Sequence, residues 1–574
     1  FNLRTTFGLD YAQKQQRIFT YPIEEGTMAN SKNGVEAKQE HWTKWMWNAV
    51  ATYNFEISKH RADIMAGVEI NREDNNWFSG YKEDFTILNP DYMWPEAGTG
   101  VAQSYGSGSG FSLISYFGKL NYVYDDKYLA SLTMRHDGSS RFGRNNRYAT
   151  FPSVSLGWRM SKENFLNQID WIDDLKFRAS WGQTGNQEIS NLARYTIYVS
   201  NYGINESGGQ SYGTSYDIEG TNGGKTLQSG FKRNQIGNDD IKWETTTQTN
   251  IGLDFSFLNN SIYGNFDWYF KKTKDILLEM GGIAAMGEGS VQWINAGEME
   301  NKGWELNVGY RNETKYGLKY DVNANIGTYD NKITYLPETV AAKGTFGGNG
   351  VKSVVGHPMG AQVGYVCDGV FKSQAEVDNH ATQEAAGLGR MKWRDINNDG
   401  KITEADQTWI YNPVPDFTYG FNVYLEYKNF DLSMFWQGVQ GVDIISDMKK
   451  ETDIWAGLNI GYLNKGIRLL DAWSPSNPDS NIPALSLSDN NNEKRNSSYW
   501  VENGSYLKLR NIQLGYVFPK TLTKKLYVER LRMYLSAQNL LTISSSNFTG
   551  VDPENPNYGY PIPLNITFGI NLTF

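Results

Sequence analysis

The sequence predicts an all-β protein: an antiparallel, up-and-down transmembrane β-barrel of about sixteen strands. Three observations predict it. Apolar and polar residues alternate with a period of two from one end of the chain to the other. Long and short connections between these segments follow one another in strict alternation, as when short turns lie on the periplasmic side and long loops outside. The chain is also 14% aromatic on a mean hydropathy of only -0.55. That combination suits aromatic girdles on a barrel whose other face is polar.

The elements follow in order. Phe1–Gln13 is the first strand, and a polar connection, Lys14–Glu40, leads to His41–Ser58. There Trp45, Trp47, Ala49, Ala51, Tyr53, Phe55 and Ile57 share one face. A tight turn leads to Ala62–Glu73 and then to a long loop, Asp74–Gly108. Phe111–Tyr124, Tyr128–His136, Thr150–Met160 and Leu175–Gln183 come next, with a short helical turn inside Lys162–Asp174. Beyond the loop Thr184–Lys242, Trp243–Leu258 turns at Asn259 and Asn260 into Ser261–Lys274. Gln292–Arg311 and Gly317–Thr334 precede the longest connection, Tyr335–Pro415. Asp416–Tyr427, Phe430–Gln440, Tyr499–Phe518 and Arg530–Ile543 bring the chain to its last strand. In that strand Leu564, Ile566, Phe568, Ile570, Leu572 and Phe574 alternate with Asn565, Thr567, Gly569, Asn571 and Thr573. Counting back from it, Phe574 lies at the periplasmic rim and the long loops are extracellular.

Composition narrows the function. No window approaches the roughly 18 apolar residues of a membrane helix. The net charge of -9 and the absence of any basic run argue against nucleic acid. One cysteine, Cys367, permits no intrachain disulfide and reads as a packed small residue. The five histidines (His41, His60, His136, His357 and His380) are scattered, and no catalytic acid–base pair is legible, so an enzyme is not expected. Trp77, Tyr81, Trp94, Tyr105 and Trp455 are loop aromatics that either stack on sugars or pack the loops together. Gly106–Gly110 and Gly347-Gly348 lack the strand-to-helix setting of a phosphate cradle.

One stretch carries metal chemistry. Asp395-Ile396-Asn397-Asn398-Asp399-Gly400-Lys401-Ile402-Thr403-Glu404-Ala405-Asp406 has the EF-hand spacing, with oxygen donors at positions 1, 3 and 5 and Gly at 6. Asp395, Asn397 and Asp399 would bind Ca2+ or another divalent cation through side chains. Lys401 would bind through its carbonyl, and Asp406 would close the site at position 12 in place of the usual Glu. The expected role is to stiffen the 335–415 loop.

Several motifs together resemble the SusC-like branch of TonB-dependent outer-membrane transporters. They are Trp243-Glu244-Thr245-Thr246-Thr247-Gln248-Thr249-Asn250, Asp267-Trp268-Tyr269-Phe270, Asn301-Lys302-Gly303-Trp304-Glu305, the 395–406 loop, Tyr506-Leu507-Lys508-Leu509-Arg510-Asn511 and the terminal Phe574. The resemblance implies a 22-stranded barrel around a plug, of which these residues are the later part. It implies a SusD-like surface lipoprotein over the loops, energy from the TonB complex through an N-terminal part, and dimers of transporter–lipoprotein pairs. Import of oligosaccharides is the implied function. A peptide importer of the same family and a passive sixteen-strand porin are the alternatives. A sheet ending at Phe1–Gln13 and at Leu564–Phe574 would leave two open edges in lipid, so further strands upstream are expected. Asp267, Glu305, Asp321, Arg510 and Arg532 are expected to line the lumen.

Overall fold

Alternation in the sequence becomes pairing in the computed structural model, which describes residues 1–25, 28–200, 231–280, 291–337, 354–453, 465–486, 492–556 and 560–574. The main sheet has 16 strands. In chain order they are β1 (Asn2–Thr20), β2 (Gly34–Ile57), β3 (His60–Glu83), β4 (Gln103–Tyr124), β5 (Tyr128–Ser139), β6 (Tyr148–Arg159), β7 (Ile172–Asn186) and β8 (Glu244–Phe257). Then come β9 (Ile262–Lys274), β10 (Glu298–Glu313), β11 (Leu318–Tyr335), β12 (Phe417–Tyr427), β13 (Phe430–Gln440), β14 (Tyr506–Val517), β15 (Arg530–Ser544) and β16 (Asn565–Thr573). The order in the sheet is the order in the chain, which is the up-and-down arrangement the alternating connections predict.

The chain forms two compact units. One comprises Phe1–Leu156, Ser180–Thr247 and Thr273–Ala296. Its first strands are far longer than the sequence suggests. β2 and β3 are 24 residues each and pair along their whole length, whereas a tilted crossing takes about 9–11 residues. Of the polar connection expected after Phe1–Gln13, Lys14–Thr20 extends β1 and Gly34–Glu40 begins β2, and the start of the loop expected after Glu73 is strand as far as Glu83. Both faces carry polar groups there (Lys14, Gln15, Gln16 and Arg17 against Ala37, Lys38, Gln39 and Glu40), so the period-two signal fades although the hydrogen bonding continues.

The loop aromatics of this unit are partly spoken for. The Arg17 guanidinium lies 4.1 Å from the centre of the Trp94 ring, and the Lys38 ammonium lies 4.7 Å from that of Trp77. Trp77, Tyr81 and Tyr105 sit on strands, not loops, and so do Gly106–Gly110. The unit's core gathers Phe142, Phe151, Ile189, Ala193, Ile241, Trp243 and Leu277. Trp243 opens the first family motif, and its indole N–H donates to the Arg147 carbonyl at 3.0 Å. Glu244 beside it accepts from the Leu277 amide at 3.1 Å.

The second unit comprises Gly157–Ala179, Gln248–Lys272 and Gly297–Phe574. Its pairing shows why the short turns are short. Leu258, Asn259 and Asn260 between β8 and β9 have positive φ, as does Lys428 between β12 and β13. Such backbone lets two strands reverse tightly with the right twist. Arg530–Ser544 pairs with Asn565–Thr573 from Arg530↔Thr573 to Gln538↔Asn565, so the final alternation is a register with one apolar face. The connection Pro519–Glu529 contains a helical turn, Lys520–Thr523.

Gly303 of the Asn-Lys-Gly-Trp-Glu motif is needed for close approach. A Cβ there would lie 2.0 Å from the Thr328 carbonyl oxygen and 2.7 Å from the Tyr269 hydroxyl. We expect Gly303→Val to force β10 from β11 at a cost of about 1–3 kcal/mol. The folded, heat-modifiable form in outer-membrane extracts should fall. An unchanged folded fraction would show that the neighbours relax freely.

Candidate functional site

In the second unit the strand side chains sort by alternation into an apolar and a polar face. On the polar face a connected ladder runs from strand to strand. Arg178 Nε donates to Asp254 at 2.9 Å, and its Nη2 donates to Asp267 at 3.0 Å. Asn265 also donates to Asp267, at 2.9 Å. Asn307 donates to Asn265 at 3.4 Å, and Asn323 donates to Asn307 at 2.7 Å. The Tyr263 hydroxyl donates to Asp321 at 2.7 Å. Glu305, opposite Gly327 in the register, shares this face. Arg532 Nε donates to Asp431 at 2.9 Å. Asp267, Glu305, Asp321, Arg510 and Arg532 thus all lie on the polar face. Four of them are already engaged by neighbours, which leaves them as a satisfied lining.

Residues of β11, β12, β13 and β14 border a cleft of about 870 Å3. Tyr329, Tyr411 and Tyr506, together with Gln362, Thr418, Asp443, Asp447, Lys450 and Glu554, supply its polar wall. Its size falls within the range of small-molecule binding pockets. Two short strands, Asp443–Ile445 and Val501–Asn503, pair at its edge.

The wall is held by a buried charge cluster that the sequence reading did not anticipate. Lys508 is 1% exposed. Its ammonium donates to both oxygens of Asp552, at 2.6 and 2.8 Å, and to Glu554 at 2.6 Å. Glu554 also accepts from the Tyr506 hydroxyl at 2.8 Å and from Arg510, whose Nε donates to Gln437 at 2.8 Å. Tyr506, Lys508 and Arg510 are spaced by two, so the strand itself places them on one face. An irregularity between Leu509 and Asn511 then resets the alternation. Nearby, Glu502 accepts from the backbone N–H and hydroxyl of Thr549 at 3.0 and 2.6 Å. The segment Thr549–Glu554 is therefore tied at both ends. The signal in the sequence was Tyr506-x-Lys508-x-Arg510 facing Asp552-x-Glu554, but only the fold pairs them.

A second buried set anchors the segment after β13. Arg468 meets Asp453 at 2.8 Å, and Lys449 donates to the Tyr499 carbonyl at 2.6 Å. Burial pushes the Asp453 carboxyl up and the Lys449 ammonium down. Trp455 lies outside the described residues.

The 395–406 loop has an EF-hand-like backbone. Asp395 Oδ2 accepts from Gly400 N at 2.8 Å, Asn397 Oδ1 from Asp399 N at 3.0 Å, and Asp399 Oδ1 from Lys401 N at 2.9 Å. Asn398 and Gly400 take positive φ. Asp406, however, is fully buried and already used. Its oxygens accept from the amides of Ile396 at 2.9 Å, Asn397 at 3.5 Å and Thr403 at 2.7 Å. Burial alone would raise its carboxyl, but these amides outweigh it and hold the carboxyl below its ordinary value. Asp395 Oδ1 lies buried without a hydrogen-bond partner. Among the described residues, no three His, Cys, Asp or Glu side chains converge as a ready cage for an ion. Position 12 therefore fits a structural staple better than a ligand.

Cys367 packs against a core of Met391, Trp393 and Trp500. Burial pushes its thiol up to about 11, so the sulfur is held as the unreactive thiol.

Comparison with known proteins adds to this geometry. Residues 1–540 match the model of a family described as TonB-dependent receptor-like, beta-barrel. TonB-dependent receptor P3 of Formosa agariphila is 31% identical over 601 residues, covering 100% of this chain and 56% of the relative. TonB-dependent receptor SusC of Bacteroides thetaiotaomicron is 30% identical over 589 residues, covering 100% of this chain and 54% of the relative. A solved structure of the RagAB peptide transporter superposes with a TM-score of 0.84 at 24% identity, over 100% of this chain and 60% of that one. The chain spans little more than half the length of the relatives it matches.

Proposed function

The chain belongs to the TonB-dependent receptor-like β-barrel family, and from that premise we propose that it is the barrel portion of an active outer-membrane importer of oligosaccharides. A SusD-like surface lipoprotein would hand over the substrate, and the TonB complex would supply the energy. Dimers of such pairs belong to the same proposal. Family membership displaces the passive porin. The observation that carries the substrate reading is the lining of the cleft. Tyr329, Tyr411 and Tyr506 supply aromatic lining there, and Gln362, Thr418 and carboxylates offer hydrogen bonds, a combination suited to sugar rings. Import of peptides is the second reading, favoured by the likeness to a peptide transporter.

The test uses the full-length transporter with its lipoprotein in cells with and without TonB. Labelled oligosaccharides should accumulate inside only when TonB is present, and surface binding should persist without it. Accumulation of peptides but not glycans would establish the second reading. TonB-independent entry of either would overturn active import.

We also propose that the 395–406 loop takes a divalent cation through Asp395, Asn397, Asp399 and the Lys401 carbonyl, with Asp406 as the staple. The partnerless Asp395 Oδ1 and the EF-hand spacing support this reading. Calcium at about 100 times its Kd should stabilise the loop by about 2.7 kcal/mol. Hydrogen exchange with Ca2+ and with a chelator measures it. Identical protection in both, or in wild type and Asp399→Asn, would remove the ion.

A further inference from the structure

The charges around the cleft balance except at one place. Glu554 is held by Lys508 and Arg510. Asp447 has Lys450 at 3.3 Å. Asp443 has no cation among the described residues. Its Oδ2 accepts from the Asn412 amide at 2.9 Å, which leaves Oδ1 for the cleft it lines. Asp416 stands near enough to add to the local negative field, and it too has no cation among the described residues. Burial, with Asp416 beside it, pushes the Asp443 carboxyl up, so this site favours an incoming positive group. The acids do not converge as a metal requires. Tyr329 and Tyr411 line the same cleft, and aromatic rings attract organic cations over their faces.

We propose that Asp443 is a specificity residue that recognises a free ammonium group on the imported oligomer, carried by an amino sugar or by a peptide amino terminus. An ammonium at Oδ1 would make a charge-assisted hydrogen bond, replace the missing counter-charge and lie against the tyrosine rings. A neutral acetamido group in the same place could do none of the three as well. This proposal rests on the import reading above, because it takes the cleft as the substrate chamber.

Calorimetry on the full-length transporter with its lipoprotein tests it with four ligands. These are a glucosamine tetramer and its N-acetylated counterpart, and a short peptide with a free and with an acetylated amino terminus. In at least one pair the free amine should bind about tenfold more tightly or better. That pair identifies the source of the ammonium. Asp443→Asn should abolish the preference, read as the ratio of affinities within the pair, while the heat-modifiable fold persists. Equal affinities within both pairs, or a preference that survives Asp443→Asn, would overturn the ammonium proposal and leave the import reading standing. TonB-independent uptake, measured separately, would overturn the import reading itself.

Discussion

Lys508→Met should loosen the Thr549–Glu554 segment and with it one wall of the cleft. The ammonium is almost completely buried and makes its three contacts with Asp552 and Glu554 at 2.6–2.8 Å. Removing it leaves the buried Asp552 carboxylate without its cation and facing Glu554. Breaking a buried pair in this way costs about 3–5 kcal/mol, because the remaining charge is uncompensated. The barrel strands themselves lose little, so the damage is local. Proteolysis and hydrogen exchange should rise in Thr549–Glu554 while the heat-modifiable barrel band persists. The double variant Lys508→Met with Asp552→Leu separates pairing from mere packing. Removing both partners should recover much of the loss, and a double-mutant cycle measures the coupling. Additive losses would show that the cluster is not a coupled unit. Glu554 would still have Tyr506 and Arg510 in both variants.

Asp406→Ala should be as damaging to the loop around it. Three backbone amides and the helical turn Glu404–Asp406 depend on this one carboxylate. Each buried donor left unmatched costs about 1–3 kcal/mol. Thr403→Ala should cost less, since it loses a cap bond to Ala405 N that water can replace at an exposed position. Hydrogen exchange at Ile396, Asn397 and Thr403 reads the effect directly. Protection that survives Asp406→Ala would show that the loop is held by something else, such as a bound cation. The same carboxylate makes the loop acid-sensitive. Its folded pKa is depressed, so its contribution is full above the unfolded value near about 4 and fades as the pH falls through the folded value.

These predictions fall where the sequence was least explicit. The strands of the second unit were legible because one face is apolar and the other polar, so the period of two is unbroken. Phe430–Gln440 came out with the same bounds in sequence and structure. The extended ends of β1 to β4 were not legible, because solvated strands have no face to mark. The spacing of Asp395 to Asp406 was plain, but it does not say whether a carboxylate points at an ion or at three amides.

The sequence by itself determined the topology. Alternation set which residues share a face, and short turns rich in Asn, Asp and Lys set the up-and-down order. These are local rules, readable within a few residues. Only the tertiary structure decided the site. Lys508 and Asp552 are 44 residues apart, and Asn412 reaches Asp443 across 31. Such meetings depend on strand register and on where long loops settle. No periodicity encodes them, because burial and charge compensation are properties of neighbours in space.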